Sequence, residues 1–453
     1  MNYIYLFVSI IFYVLLPVKY SFFMAILYLL VFTLSFMHTL RRYKIGYVSW
    51  YFLFSCAFFI SNFLVPVFGY SFYPIEQIFN YSIDANYILR GEALSLVAYC
   101  SFVSGISISF SKKKCLQKES LVFSAKIEFI SSFKYIAVIL LCVYTMIHIF
   151  AFSFTYGEYN KKIFNTPMVA TLLDTITYVY ILYLCWFFFK NRKETISVMV
   201  KNGIFLWAFL LFLTCAYIRI GERGNLIKIL LPVVFGYNFI IRRISYKVLF
   251  LIVVLGFSLM LFIRDSRNDS AYANHLKYRK YELPSYLDNT SDLTCATMTM
   301  CLGLEYVEKN GYLYGRTMIS DLFAPIPFVP AMINNYVFEG SMVSTGRILS
   351  DEVGLGIESG VGTSAVVDVF MNFGVIGVIV LFLLFGYFIS YLEKLKYKSV
   401  YCLCVYVMMV GVAVYIPRST LFSVIRGCVW MYFLLLLFKK KYKYSHVIKT
   451  NDK

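Results

Sequence analysis

Apolar stretches about 20 residues long, separated by short clusters of charge, recur along most of the 453-residue chain. A helix of about that length crosses a hydrocarbon core of about 30 Å. Continuous apolar runs satisfy their backbone groups internally only as helices, whereas barrel strands alternate apolar and polar positions. The pattern predicts twelve transmembrane helices, at residues 3–18, 21–39, 47–65, 91–110, 135–153, 169–189, 203–218, 225–241, 246–263, 363–390, 399–416 and 420–438. Long outer connections fall only at 66–90 and 264–362. The expected fold is an all-α polytopic integral membrane protein with about twelve transmembrane helices and one large extracytoplasmic loop. Residues 1–263 carry helices one to nine, 264–362 form the loop, 363–438 carry the last three helices, and 439–453 make a basic cytoplasmic tail.

Composition excludes a soluble chain: 60% of residues are hydrophobic, 20% aromatic and only 15% charged, too few polar groups to cover a surface in water. The net charge of +18 follows the same segmentation. Basic clusters at Arg41-Arg42-Lys44, Lys112-Lys113-Lys114, Lys190-Arg192-Lys193, Arg242-Arg243, Lys394-Lys396-Lys398 and Lys439-Lys440-Lys441 occupy alternate connections, which places those connections and both termini in the cytoplasm. Sorted by side, roughly 25 basic and 5 acidic residues lie inside, against roughly 17 and 19 outside. The high pI is therefore topological, and no nucleic-acid partner is expected. The first apolar run lacks a charged leader and a small-residue cleavage site, so it is expected to be retained. Most of the eleven cysteines lie at membrane depth as small apolar packing residues; only Cys295 and Cys301 sit together outside.

Arginine and lysine divide unequally between the two sides. About 5 Arg and 20 Lys lie inside, but about 10 Arg and 7 Lys outside, a preference that topology does not require. The guanidinium fork binds phosphate or carboxylate bidentately, so the outer arginines imply a polyanionic ligand at the outer leaflet. The tightest element is Arg219-Ile-Gly-Glu-Arg223-Gly-Asn225, a hairpin between two spans in which a spacing of four puts Arg219 and Arg223 on one helical face. Arg418, in Pro417-Arg-Ser-Thr420, and Arg426 repeat the pattern at the last outer turn, and Arg264, Arg316 and Arg347 lie on the large loop. Snorkelling of such arginines to headgroups is the bland alternative. The loop meets prolines at 325, 327 and 330, then a run rich in glycine that includes Gly346, Gly360 and Gly362. Asp351, Glu352 and Asp368 there are candidate bases for a sugar hydroxyl, or else partners of the outer arginines, and His275 is a further candidate base. No metal-ligand pattern is present, and no cofactor is expected.

Several of these features together form a resemblance. The many spans, one large outer loop late in the chain, Gly221-Glu-Arg223-Gly-Asn225, the proline-rich stretch before the glycine-rich return, and Asp368-Val-Phe-Met-Asn-Phe-Gly-Val-Ile-Gly377 resemble Wzy-type O-antigen or oligosaccharide repeat-unit polymerases. The resemblance implies a bacterial inner-membrane glycosyltransferase of GT-C-like architecture that acts on undecaprenyl-diphosphate-linked oligosaccharide without a metal. A chain-length regulator protein and membrane lipid are implied partners. Arg223, Arg219 and Arg418 would bind the diphosphate, with Arg264 and Arg347 on the second carrier or its glycan and Arg316, Arg426 and Asn225 as further substrate contacts. Glu222 beside Arg223 departs from the family's usual small or neutral residue. A flippase for the same lipid-linked sugars and an O-antigen ligase remain as alternatives.

Overall fold

The computed structural model describes residues 2–17, 19–79, 83–111, 129–154, 156–159, 162–163, 166–265, 284–326, 328–337, 344–352 and 362–439. Each of the twelve apolar stretches coincides with a helix there. The principal helices are α1 (Asn2–Val14), α2 (Phe22–Tyr43), α3 (Trp50–Asn62), α4 (Asn86–Ser111), α5 (Phe133–Ala151), α6 (Pro167–Lys190), α7 (Ile204–Ile220), α8 (Arg223–Ile240), α9 (Tyr246–Asp265), α10 (Ser291–Asn310), α11 (Ile319–Phe323), α12 (Thr345–Glu352), α13 (Ala365–Leu395), α14 (Val400–Val412) and α15 (Ile425–Phe438). Among the described residues, the β structure is one isolated bridge between Phe129 and Lys439.

Among the described residues, seven helical segments are long and apolar enough to cross a membrane: α2, α4, α5, α6, α9, α13 and Leu421–Phe438. An eighth results if Ile196–Asn202 and α7, which meet at a 79° bend, form one span. The difference from twelve has a physical cause. An apolar run does not reveal where its backbone leaves the helix. α3 stops at Asn62 and passes into a π turn, Val65–Gly69, that contains Pro66. α14 likewise gives way to the 3-10 turns Ile416–Arg418 and Leu421–Val424. At about 1.5 Å per residue, the 13 residues of α1, α3 and α14 each rise about 20 Å, short of a 30 Å core, and the fourth, α8, is 18 residues long but carries Arg223, Asn225 and Lys228 in its first two turns.

α4 and α13 form the centre of the bundle. The most apolar window of α4 is 94% buried, and that of α9 only 6%, so α9 presents apolar side chains outward on nearly every side, as a helix in lipid does. Where α4 crosses α13, a methyl group on Gly105 would run into the Leu383 carbonyl, and one on Gly386 into the Phe102 carbonyl. The two backbones therefore touch through reciprocal glycines, the close approach that drives helix association in membranes. Beside the crossing lies an aromatic core in which Trp50, Phe54 and Phe102 pack against Phe385. Trp50 Nε1 donates to the Met409 carbonyl at 2.9 Å, so this core is also polar-satisfied.

Within the large loop, residues 291–310 form the helix α10. It enters the bundle rather than covering it from above: Thr294 and the run from Ala296 to Leu304 are buried, and Gly303 sits where a Cβ would strike Val367 of α13. Its far end is tied by the ion pair between Glu308 and Arg90 of α4. Cys295 and Cys301 on this helix are free thiols.

Candidate active site

The chain reverses between α7 and α8 in two residues. Gly221 takes a left-handed conformation (φ 84°) that ends α7, and the Glu222 carboxylate accepts from the Asn225 N–H at 3.3 Å, capping α8. This break separates the two arginines expected on one face: Arg219 is exposed at the end of α7, and Arg223 opens α8 with 8% of its surface exposed. Their spacing of four is not a helical repeat, because the helix ends between them.

Arg223 donates from Nη2 to Asp292, at the start of α10. Arg418, in the turn after α14, faces the other oxygen of that carboxylate at 4.0 Å. Two guanidinium groups thus bracket one carboxylate, and Arg223 Nε is buried with no hydrogen-bond partner among the described residues. The glycine-rich return completes the cluster. At Gly362 (φ 81°) a side chain would be strained and would lie 3.5 Å from Arg418 Nε. The hairpin, α10, the last turn and the return therefore converge on Asp292.

Beside this cluster, with Tyr415 in its lining, a cavity of about 540 Å³ opens between α6, α8, α11, α14 and α15. Its polar lining includes Asp174, Glu222, Asn225, Lys228, Asp321 and Arg426. Arg426 donates to Asp174 at 3.0 Å, whereas Lys228 makes no ion pair among the described residues. Asp321 accepts from the Thr420 hydroxyl. Burial pushes the Asp321 carboxyl above the usual carboxylate range, partly offset by that donated hydrogen bond. Burial likewise raises the Tyr415 phenol, with Asp292 and Glu222 adding to the effect. Beneath the cavity, Tyr144 shares a 2.7 Å hydrogen bond with Tyr217, and buried His148 contacts the Tyr144 carbonyl at 2.9 Å and the Tyr159 hydroxyl at 3.2 Å.

Asp368 lies elsewhere. Near the start of α13 it is fully buried and accepts from Thr317 at 3.0 Å and from Thr345. Asn372, one turn on, donates to Thr317 Oγ1 at 2.6 Å and to the Asp368 carbonyl at 2.7 Å. This knot ties two segments of the loop to α13, and it does not line the cavity. Arg316 and Arg347 are exposed. His275 and the side chains of Arg264 and Glu352 lie outside the described residues.

Of the arginines and acids singled out from sequence, the structure brings Arg223 and Arg418 together at Asp292, and Arg426 and Asn225 together at the cavity. Sequence reasoning passed over Asp174, Lys228, Asp292 and Asp321. The first two carried a readable signal, since each is a charge inside an apolar run, where ionisable residues are costly and functional. Glu92 is a further charge of this kind, buried in α4. Among the described residues, no three His, Cys, Asp or Glu side chains converge as a metal site.

No curated protein and no solved structure matches the chain. A family model described as O-antigen polysaccharide polymerase Wzy matches residues 1–443, nearly its whole length. The chain therefore belongs to the O-antigen polysaccharide polymerase Wzy family, as a multi-pass membrane protein that acts in the polymerisation of lipid-linked O-antigen repeat units.

Proposed function

We propose that this protein joins undecaprenyl-diphosphate-linked oligosaccharide repeat units into O-antigen or capsule at the outer side of the bacterial inner membrane, moving the growing chain from one carrier to the non-reducing end of the next unit. The observation that carries this reading is the cavity lined by Lys228, Arg426, Asn225 and the Asp321 carboxylate, next to the Arg223–Asp292–Arg418 cluster. Cations and the amino end of α8 suit a diphosphate whose charge grows as it leaves, without a metal. Arg223, Arg219 and Arg418 are proposed to guide the diphosphate at the rim, with Arg264, Arg316 and Arg347 on the second carrier or its glycan. Residues 264–362 would contribute walls of the site through α10 and α11 in a GT-C-like arrangement, and a chain-length regulator would act from the same side.

Deleting the gene is expected to leave surface glycan that carries a single repeat unit, visible as loss of the ladder on a gel. Loss of even that unit would mark a flippase, and accumulation of free lipid-linked polymer a ligase. The side assignment, with both termini cytoplasmic, rests on the alternation of lysine clusters. An alkaline phosphatase fusion at about residue 300 should be active and one at about 395 inactive, and the opposite pattern would invert the topology.

A further inference from the structure

Three carboxylates line the cavity, and their surroundings differ. Asp174 is paired with Arg426 at 3.0 Å. Glu222 is engaged at the amino end of α8, where it holds the Asn225 N–H. Asp321 differs from both: Oδ2 accepts from Thr420, and Oδ1 has no partner among the described residues, although the side chain is only partly exposed. It stands on α11, which packs against α15 and the turn before it, so it is placed by folded structure. The cations Lys228 and Arg426 line the same cavity. A site that holds cations and one open carboxylate within a single cavity is arranged to receive negative charge at one point and a proton at another.

We infer that Asp321 is the general base of glycosyl transfer, accepting the proton of the acceptor sugar hydroxyl. The assignment rests on the polymerase reading. In the step, the acceptor oxygen bonds to the anomeric carbon of the donor chain while its O–H proton passes to Asp321 Oδ1. The bond from that carbon to the diphosphate oxygen breaks, and its electron pair leaves with the undecaprenyl diphosphate toward Lys228 and Arg426. The products are the extended lipid-linked chain, the released carrier and a protonated Asp321, which returns its proton to water.

The test uses full-length protein in lipid nanodiscs and purified undecaprenyl-diphosphate-linked repeat unit extracted from a strain that lacks the gene. Asp321→Asn keeps the size of the side chain and the partner for Thr420. A positioned base contributes roughly 100-fold or more, so kcat is expected to fall by about that factor while KM stays within about threefold. A loss below about tenfold, or one carried by KM, overturns the assignment. Asp321→Glu should recover part of the rate. Thr420→Val removes the hydrogen bond that favours the ionised form, so the acidic limb of the rate profile should move to higher pH, a shift that a merely structural role would not produce. If Asp321→Asn fails to fold, an unmoved limb in Thr420→Val overturns the inference by itself. A wild-type protein that makes no polymer overturns the polymerase reading instead, and the base with it.

Discussion

Arg223→Lys is expected to abolish most chain extension although the positive charge is kept. Arg223 is buried, and its fork reaches Asp292 from the first residue of α8, while Arg418 holds the other oxygen. A lysine offers a single, more strongly hydrated point of charge and cannot span both the carboxylate and a substrate oxygen. Arg223→Ala is expected to be worse, because it removes the buried guanidinium from Asp292 altogether. Losing one partner of a fully buried pair costs about 3 to 5 kcal/mol, and the value here should be smaller because Asp292 is partly exposed. The measurement is the length distribution of the surface glycan at matched protein level. Full-length polymer from the lysine variant would show that the bidentate geometry is dispensable.

Gly386→Val should have the largest effect on the fold itself. The Cβ it adds would meet the Phe102 carbonyl, a backbone atom held inside α4, so neither helix can yield by turning a side chain. Overpacking typically costs about 1 to 3 kcal/mol and more where backbone must move. The detergent-solubilised variant is expected to unfold at a clearly lower temperature or to fail to accumulate in the membrane. An unchanged unfolding midpoint would mean that the two helices cross elsewhere.

The helices were legible because apolar length is a strong signal: from the run at 21–39 to that at 420–438, each stretch overlaps a helix, although its ends and its ability to span were not fixed by it. Local signals worked where the physics is local. The hairpin between the spans ending at 218 and beginning at 225 is there, but Gly221 ends one helix and Glu222 caps the next, which undoes the shared face expected of Arg219 and Arg223. Partnership was not legible. Asp292 meets arginines 69 and 126 positions away, and no pattern along the chain encodes that meeting. Asp321 was hidden for the same reason, since only the fold brings Thr420 to it. Asp368 was visible as an acid, but its role as a knot for Thr317 and Thr345 needed coordinates.

The contrast between α4, enclosed on nearly all sides, and α9, enclosed on almost none, sets how freely this sequence can drift. Positions such as Val253, Leu255 and Phe257 answer only to hydrocarbon, so any apolar residue satisfies them. Gly105 answers to a particular carbonyl on a particular neighbour. Substitution should therefore accumulate from the periphery inward, leaving divergent copies of this machine with interchangeable outer helices around one fixed glycine crossing.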